Sequence, residues 1–116
     1  MNSLSIVISV YNEESNIKYL HDELLFIKKL HGLINEIIYI NDGSKDNSQK
    51  ILDSLNDCTV IQLKKNYGQS TCFNIGINLA SNNFIVFLDS DGQNDPADIP
   101  KMMNFLLQND LDLICG

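Results

Sequence analysis

Short apolar runs alternate along the chain with stretches in which apolar residues recur every three or four positions. Leu4 to Val10 is apolar and β-rich, and Tyr11-Asn12-Glu13-Glu14 breaks it. From Ser15 to about Leu30, the residues Ile17, Leu20, Leu24 and Ile27 fall at helical spacing, and Gly32 ends the run. Ile37 to Ile40 predicts a second strand that enters the turn Asn41-Asp42-Gly43-Ser44. A helix is expected from about Asp46 to Leu55, with Ile51, Leu52 and Leu55 inward. Thr59 to Leu63 predicts a third strand, and Gly68 to Ala80 a helix with Phe73, Ile77 and Ala80 on one face. Phe84 to Leu88 is the fourth strand. Asp98 or Pro100 to Gln108 reads as a helix, with Pro100 suited to its first turn, and Leu111 to Cys115 as a fifth strand.

Strand and helix alternate throughout, which predicts an α/β fold in three layers: a mostly parallel sheet with helices on both faces. Each crossover is expected to be right-handed. No linker, repeat or low-complexity tract interrupts the 116 residues, so one domain is expected. The last strand stops at Gly116 with no closing helix, so residues 1–116 read as the nucleotide-binding half of something longer. An uncovered final strand would offer an edge on which two copies could pair.

Composition narrows the function. Hydrophobic residues make up 44% and charged residues 20%, as in a soluble globular protein. A net charge of −7 argues against nucleic acid or anionic lipid as the main partner. An anionic ligand would need a cation or backbone amides to offset that field. No stretch approaches the ~20 apolar residues of a membrane span, and Met1-Asn2-Ser3-Leu4 does not open a signal peptide. Cys58, Cys72 and Cys115 are odd in number and far apart, the pattern of free thiols in a reducing, cytoplasmic compartment. His21 and His31 are expected on the surface.

Candidate chemistry concentrates where strands end. The fourth strand runs into Asp89-Ser90-Asp91-Gly92-Gln93. In extended chain, side chains two apart share a side, so Asp89 and Asp91 can converge. At ~4 Å and an effective dielectric near 20 they would repel by about 4 kcal/mol. A hard divalent cation removes that repulsion, and carboxylates with an amide oxygen such as that of Gln93 are its preferred ligands. The plainer reading of the same residues is a solvated turn with an aspartate capping the next helix. In a parallel sheet the loops after the first and second strands reach the same edge. There Tyr11 offers an aromatic face, Asp42 an acceptor, and Gly43 a tight turn that lets a ligand approach the backbone. Their plain readings are a half-buried packing residue and an ordinary turn with Asp46 as helix cap.

The motifs resemble a known family. Ile6-Val7-Ile8-Ser9-Val10-Tyr11-Asn12-Glu13-Glu14 looks like the opening motif of family 2 glycosyltransferases of the GT-A, Rossmann-like fold. Asn41-Asp42-Gly43-Ser44-Lys45-Asp46 resembles their Asp-Asp-Gly-Ser-x-Asp motif, and Asn66-Tyr67-Gly68 with Asn74-Ile75-Gly76 their Asn-x-Gly repeats. Asp89-Ser90-Asp91-Gly92-Gln93, with Asp95-Pro96 and Ile99-Pro100, resembles the run of the polyprenyl-phosphate sugar transferases, the dolichyl-phosphate mannose synthase type. The resemblance implies a UDP- or GDP-sugar donor, a polyprenyl phosphate or glycan acceptor, and inverting transfer. It implies Ser9, Tyr11 and Glu13 around base and ribose, Asp42 on the base, and Asp89 facing the ribose or metal. Asp91 and Gln93 would hold Mg²⁺ or Mn²⁺ on the diphosphate, which makes Asp91 the residue closest to the chemistry. The acceptor-binding part, and any attachment to the inner membrane face, would lie in segments this chain lacks, so the chain alone would transfer poorly or not at all.

Two departures stand out. Asn41 replaces the first acid of the second motif, a weaker acceptor beside the base. Ser9 stands where proline is frequent, which predicts a looser opening turn. Among rivals, a haloacid-dehalogenase-type phosphatase shares the strand ending in Asp-x-Asp-Gly, but Gln93 departs from its motif and its downstream motifs have no room. A signalling receiver domain lacks its phosphoacceptor after the third strand, where Lys64-Lys65 stand, and its lysine after the fifth. A Rossmann dehydrogenase would need Gly-x-Gly-x-x-Gly after the first strand. A catalytically silent sugar-nucleotide-binding module remains an alternative.

Overall fold

The computed structural model describes residues 4–82, 84–90, 101 and 113–115. Its elements are β1 (Leu4–Val10), α1 (Ile17–His31), β2 (Ile34–Asn41), α2 (Ser48–Asp53), β3 (Thr59–Gln62), α3 (Gln69–Leu79), β4 (Phe84–Asp89) and β5 (Leu113–Cys115). The strands form one sheet in the order β3-β2-β1-β4-β5, and every pairing is parallel. The expected α/β fold is thereby observed.

The two faces of the sheet divide the core. Leu4, Ile6, Ile8 and Val10 of β1 pack with Ile17, Leu24 and Ile27 of α1 and Leu52 of α2. Val7, on the opposite side of the same strand, packs with Ile38, Ile40 and Phe87 and with Cys72 of α3. The period of two in β1 therefore feeds both layers, and the strand is buried on both sides.

Most boundaries agree with the sequence to within two residues. β2 differs: it starts at Ile34, not Ile37. Asn35 and Glu36 hide that start in the pattern, but Leu4 and Ser5 of β1 pair with Ile34 and Glu36. The Ser5 hydroxyl donates to Glu36 Oε1 at 2.8 Å. The inner face of α3 agrees in part, since Phe73 and Ala80 pack against the core as expected. Cys72 and Gly76 are its buried residues, while Ile77 is 42% exposed. Of the expected helix over 98/100–108, only Lys101 is described, and it is helical.

His21 is not on the surface. It is 2% exposed, with Nδ1 2.7 Å from the Tyr39 hydroxyl and Nε2 2.7 Å from the Asn56 carbonyl. A carbonyl can only accept, so Nε2 carries a proton and donates to Asn56. Position 21 lies four after Ile17 and three before Leu24, so the helical period itself turns it inward. His31 is exposed, as expected. Among the described residues, no helix is long and apolar enough to cross a membrane.

Candidate functional site

The chain steps from β1 outward to β2 and β3, then α3 returns it to β4 on the other side of β1. Strand order reverses between β1 and β4, which is where open α/β sheets form a crevice beyond their carboxyl ends. Ser9 of β1 and Asp89 of β4 are register partners at that point. The Ser9 hydroxyl donates to Asp89 Oδ1 at 3.3 Å.

A cleft of about 280 Å³ opens there. Its walls include Ser9, Tyr11, Glu13, Asp42 and Asp89, all five of the nucleotide-site residues expected from sequence. Tyr11 is 44% exposed, so its ring is free to receive a flat partner. Asp91 and Gln93, the remaining expected ligands of a metal, lie outside the described residues. Among the described residues, no group of three or more His, Cys, Asp or Glu side chains is placed to hold a metal ion.

The loop after β1 is laced to the loop after β2. The amides of Asn12, Glu13 and Glu14 donate to Ser44 Oγ at 2.9 Å, Ser48 Oγ at 3.0 Å and Asp46 Oδ2 at 3.2 Å. In return the Lys45 amide donates to Asn12 Oδ1 at 2.8 Å. Asn12 adopts φ 53°, a left-handed conformation that asparagine tolerates better than most residues. The opening turn is therefore not loosened by Ser9, which lies inside β1 and is bonded to Asp89. Desolvation pushes the Asp46 carboxyl upward, but hydrogen bonds from Ser48 and from the Glu14 amide outweigh it and hold the group below its ordinary value. Asp46 serves this lacing, with Oδ1 accepting the Ser48 amide at 2.9 Å.

Asn41 is 1% exposed and its amide is committed internally, Nδ2 to Gln49 Oε1 at 2.8 Å and Oδ1 from the Ser44 amide at 3.1 Å. It shapes the turn, tying it to Gln49 of α2. Asp42 is 4% exposed, and its two oxygens accept the amides of Tyr67 at 2.7 Å and Gly68 at 2.9 Å. A carboxylate has about four lone-pair directions, so two amides leave acceptor capacity on the cleft side. Gly43, at φ +73°, comes close to chain and not to open space: a Cβ there would lie 2.4 Å from the Lys65 carbonyl carbon.

Asn66, Gly68, Gln69 and Ser90 also line the cleft, and none of them was assigned a role from sequence. The loop after β3 ends on the same carboxyl edge as the other three. That topological rule was the available signal for Asn66 to Gln69.

The sequence model described as glycosyl transferase family 2 matches residues 5–116. The chain belongs to that family. Undecaprenyl-phosphate 4-deoxy-4-formamido-L-arabinose transferase of Proteus mirabilis (strain HI4320) is 36% identical over 108 residues, covering 89% of this chain and 33% of that protein. The protein of the same name from Yersinia pestis (strain Pestoides F) is 38% identical over 109 residues, covering 90% of this chain and 33% of its own length. The family 2 chain thus spans about a third of the curated relatives it matches. Among solved structures, S. aureus TarS 1-349 in complex with UDP-GlcNAc superposes with a TM-score of 0.75 at 23% identity, over 91% of this chain and 31% of that one. Glucosyl-3-phosphoglycerate synthase from Mycobacterium tuberculosis, in complex with Mn²⁺, UDP and glucosyl-3-phosphoglycerate, gives 0.76 at 23% identity, over 91% and 40%. These likenesses show the GT-A fold.

Proposed function

We propose that this family 2 chain is the donor-binding part of an inverting glycosyltransferase that moves a sugar from a nucleoside-diphosphate sugar to polyprenyl phosphate. The observation that carries the proposal is the convergence of Tyr11, Asp42 and the Ser9–Asp89 pair on one cleft at the switch point. Relatives named as undecaprenyl-phosphate sugar transferases support the acceptor class. A fold neighbour holding UDP with Mn²⁺ supports the donor and the cation.

Each residue then has a task. Tyr11 stacks on the base, and Asp42 accepts from a base N–H with the capacity its two amides leave. Ser9 and Glu13 line the ribose end. Asp89, Asp91 and Gln93 form a donor set of two carboxylates and an amide, which fits a hard divalent cation such as Mg²⁺ or Mn²⁺. When bound, that ion supplies Lewis-acid neutralisation of the departing diphosphate. The acceptor approaches the anomeric carbon from the face opposite the leaving group and inverts it. A phosphate acceptor arrives ionised and needs no general base from this chain.

The test is calorimetry with UDP and with GDP, in Mn²⁺, in Mg²⁺ and in EDTA. Binding is expected only with a divalent ion and is expected to vanish in Asp91→Ala. Equal affinity in EDTA would remove the metal from the proposal.

A further inference from the structure

Gln69 stands apart from the roles given above. It is the first residue of α3, exposed to solvent, and forms part of the cleft wall. Its Nε2 donates to Asp89 Oδ1, the oxygen that also accepts from Ser9. An exposed glutamine ordinarily keeps its rotamer freedom, and fixing a long side chain costs entropy, so a contact made from a rigid base is needed to hold it.

That base is present. Asp42 holds the amides of Tyr67 and Gly68 at 2.7 and 2.9 Å, and the Asn66 side chain donates to the Asp42 carbonyl at 3.2 Å. Gly68, at φ 96°, turns the chain into α3, whose first intrahelical bond runs from the Cys72 amide to the Gly68 carbonyl at 3.3 Å. Gln69 therefore extends from a turn pinned on Asp42 and reaches the Asp89 carboxylate.

We infer that Gln69 is a positioning residue for Asp89: with Ser9 it occupies Oδ1 and leaves Oδ2 as the oxygen offered to the ligand. That this ligand is the cation on a diphosphate rests on the function proposed above; the contact itself does not. One segment, Asn66 to Gln69, thereby ties the acid at the base end to the acid at the metal end.

Two measurements on the 116-residue chain test this separately. In ligand-free protein, the Gln69 side-chain amide signals in a nitrogen–proton NMR spectrum are expected to move in Asp89→Ala, which removes the acceptor of that amide. Unmoved Gln69 signals in that variant would overturn the contact. The second measurement uses Gln69→Met, which keeps length and helical propensity but lacks the donor. Mn²⁺ affinity in the presence of UDP should fall roughly tenfold, the usual lower bound for losing a group that orients a ligand, while metal-free uridine affinity stays the same. Unchanged Mn²⁺ affinity, or an equal loss for uridine, would overturn the positioning role. Should wild-type protein show no Mn²⁺-dependent UDP binding, the donor proposal fails and the ligand-free spectra still decide the contact.

Discussion

Gly76 of α3 lies against Val7 of β1 so closely that a Cβ at position 76 would stand 2.3 Å from Val7 Cγ1. The absence of a side chain is what lets the helix settle onto the sheet, and α3 carries Gln69 at its other end. Gly76→Ala should therefore destabilise the fold by about 1–3 kcal/mol, the usual cost of overpacking, despite alanine's better helical propensity. Urea unfolding measures it. Paired with Val7→Ala, which removes the Cγ atoms in the way, the loss should be less than the sum of the two single losses.

Gly43 presents a harder conflict, because the obstacle is backbone. A Cβ would meet the Lys65 carbonyl carbon at 2.4 Å, and φ is +73°. Gly43→Ala is expected to cost more than Gly76→Ala and to push the loop after β2 away from Lys65–Asn66. The readouts are urea unfolding and amide exchange at Tyr67 and Gly68, whose hydrogen bonds to Asp42 depend on that approach.

His21 links α1 to β2 and to the loop after α2 through Tyr39 and Asn56. His21→Leu would leave a buried hydroxyl and a carbonyl without partners, at about 1–3 kcal/mol for each group left unpaired. Combining it with Tyr39→Phe removes one of those orphans. The double variant should be more stable than the His21→Leu single variant, which a thermal melt would show.

Cys72 gives a pH signature. Burial first, and the nearby Asp42 carboxylate second, push its thiol up to about 11 from an ordinary 9.0. The folded state thus holds a proton the unfolded chain gives up. Its stabilising contribution is complete below pH 9 and is lost as pH climbs towards 11. Urea midpoints of wild type should fall more steeply over that interval than those of Cys72→Ala. Parallel slopes would refute the assignment.

Tyr11 separates base recognition from phosphate recognition. Tyr11→Ala should weaken UDP binding by roughly tenfold, in line with about 1–3 kcal/mol for a base stacked on an aromatic ring, and leave inorganic diphosphate unaffected. Calorimetry with both ligands in Mn²⁺ checks it, and equal losses would remove stacking.

The fold was legible because each strand's apolar run and each helix's period of three to four are local properties of the chain. Tyr11, Asp42 and Asp89 were legible for a related reason: strand ends in a parallel sheet share one edge, so their loops had to gather, while Ser9 and Glu13 were legible only through the family resemblance. Less legible were features set by partners distant in sequence. Ile34 to Glu36 joined β2 because β1 supplied its ladder, and α3 turned Cys72 and Gly76 inward because Val7 left room only for a glycine.

The chain's own pattern thus determined the alternation of strands and helices, the edge that carries the chemistry, and the acids and aromatic ring on it. Only tertiary structure decided which of those polar groups are already spoken for. Asn41 spends its amide on Ser44 and on Gln49 of α2, Asp46 accepts from Ser48 and from Glu14 of the loop after β1, His21 is enclosed between α1 and β2, and Asp42 and Asp89 are joined through Asn66–Gln69. A hydrogen bond needs a partner within about 3 Å. Sequence lists the donors and acceptors, but folding sets the distances between residues tens of positions apart.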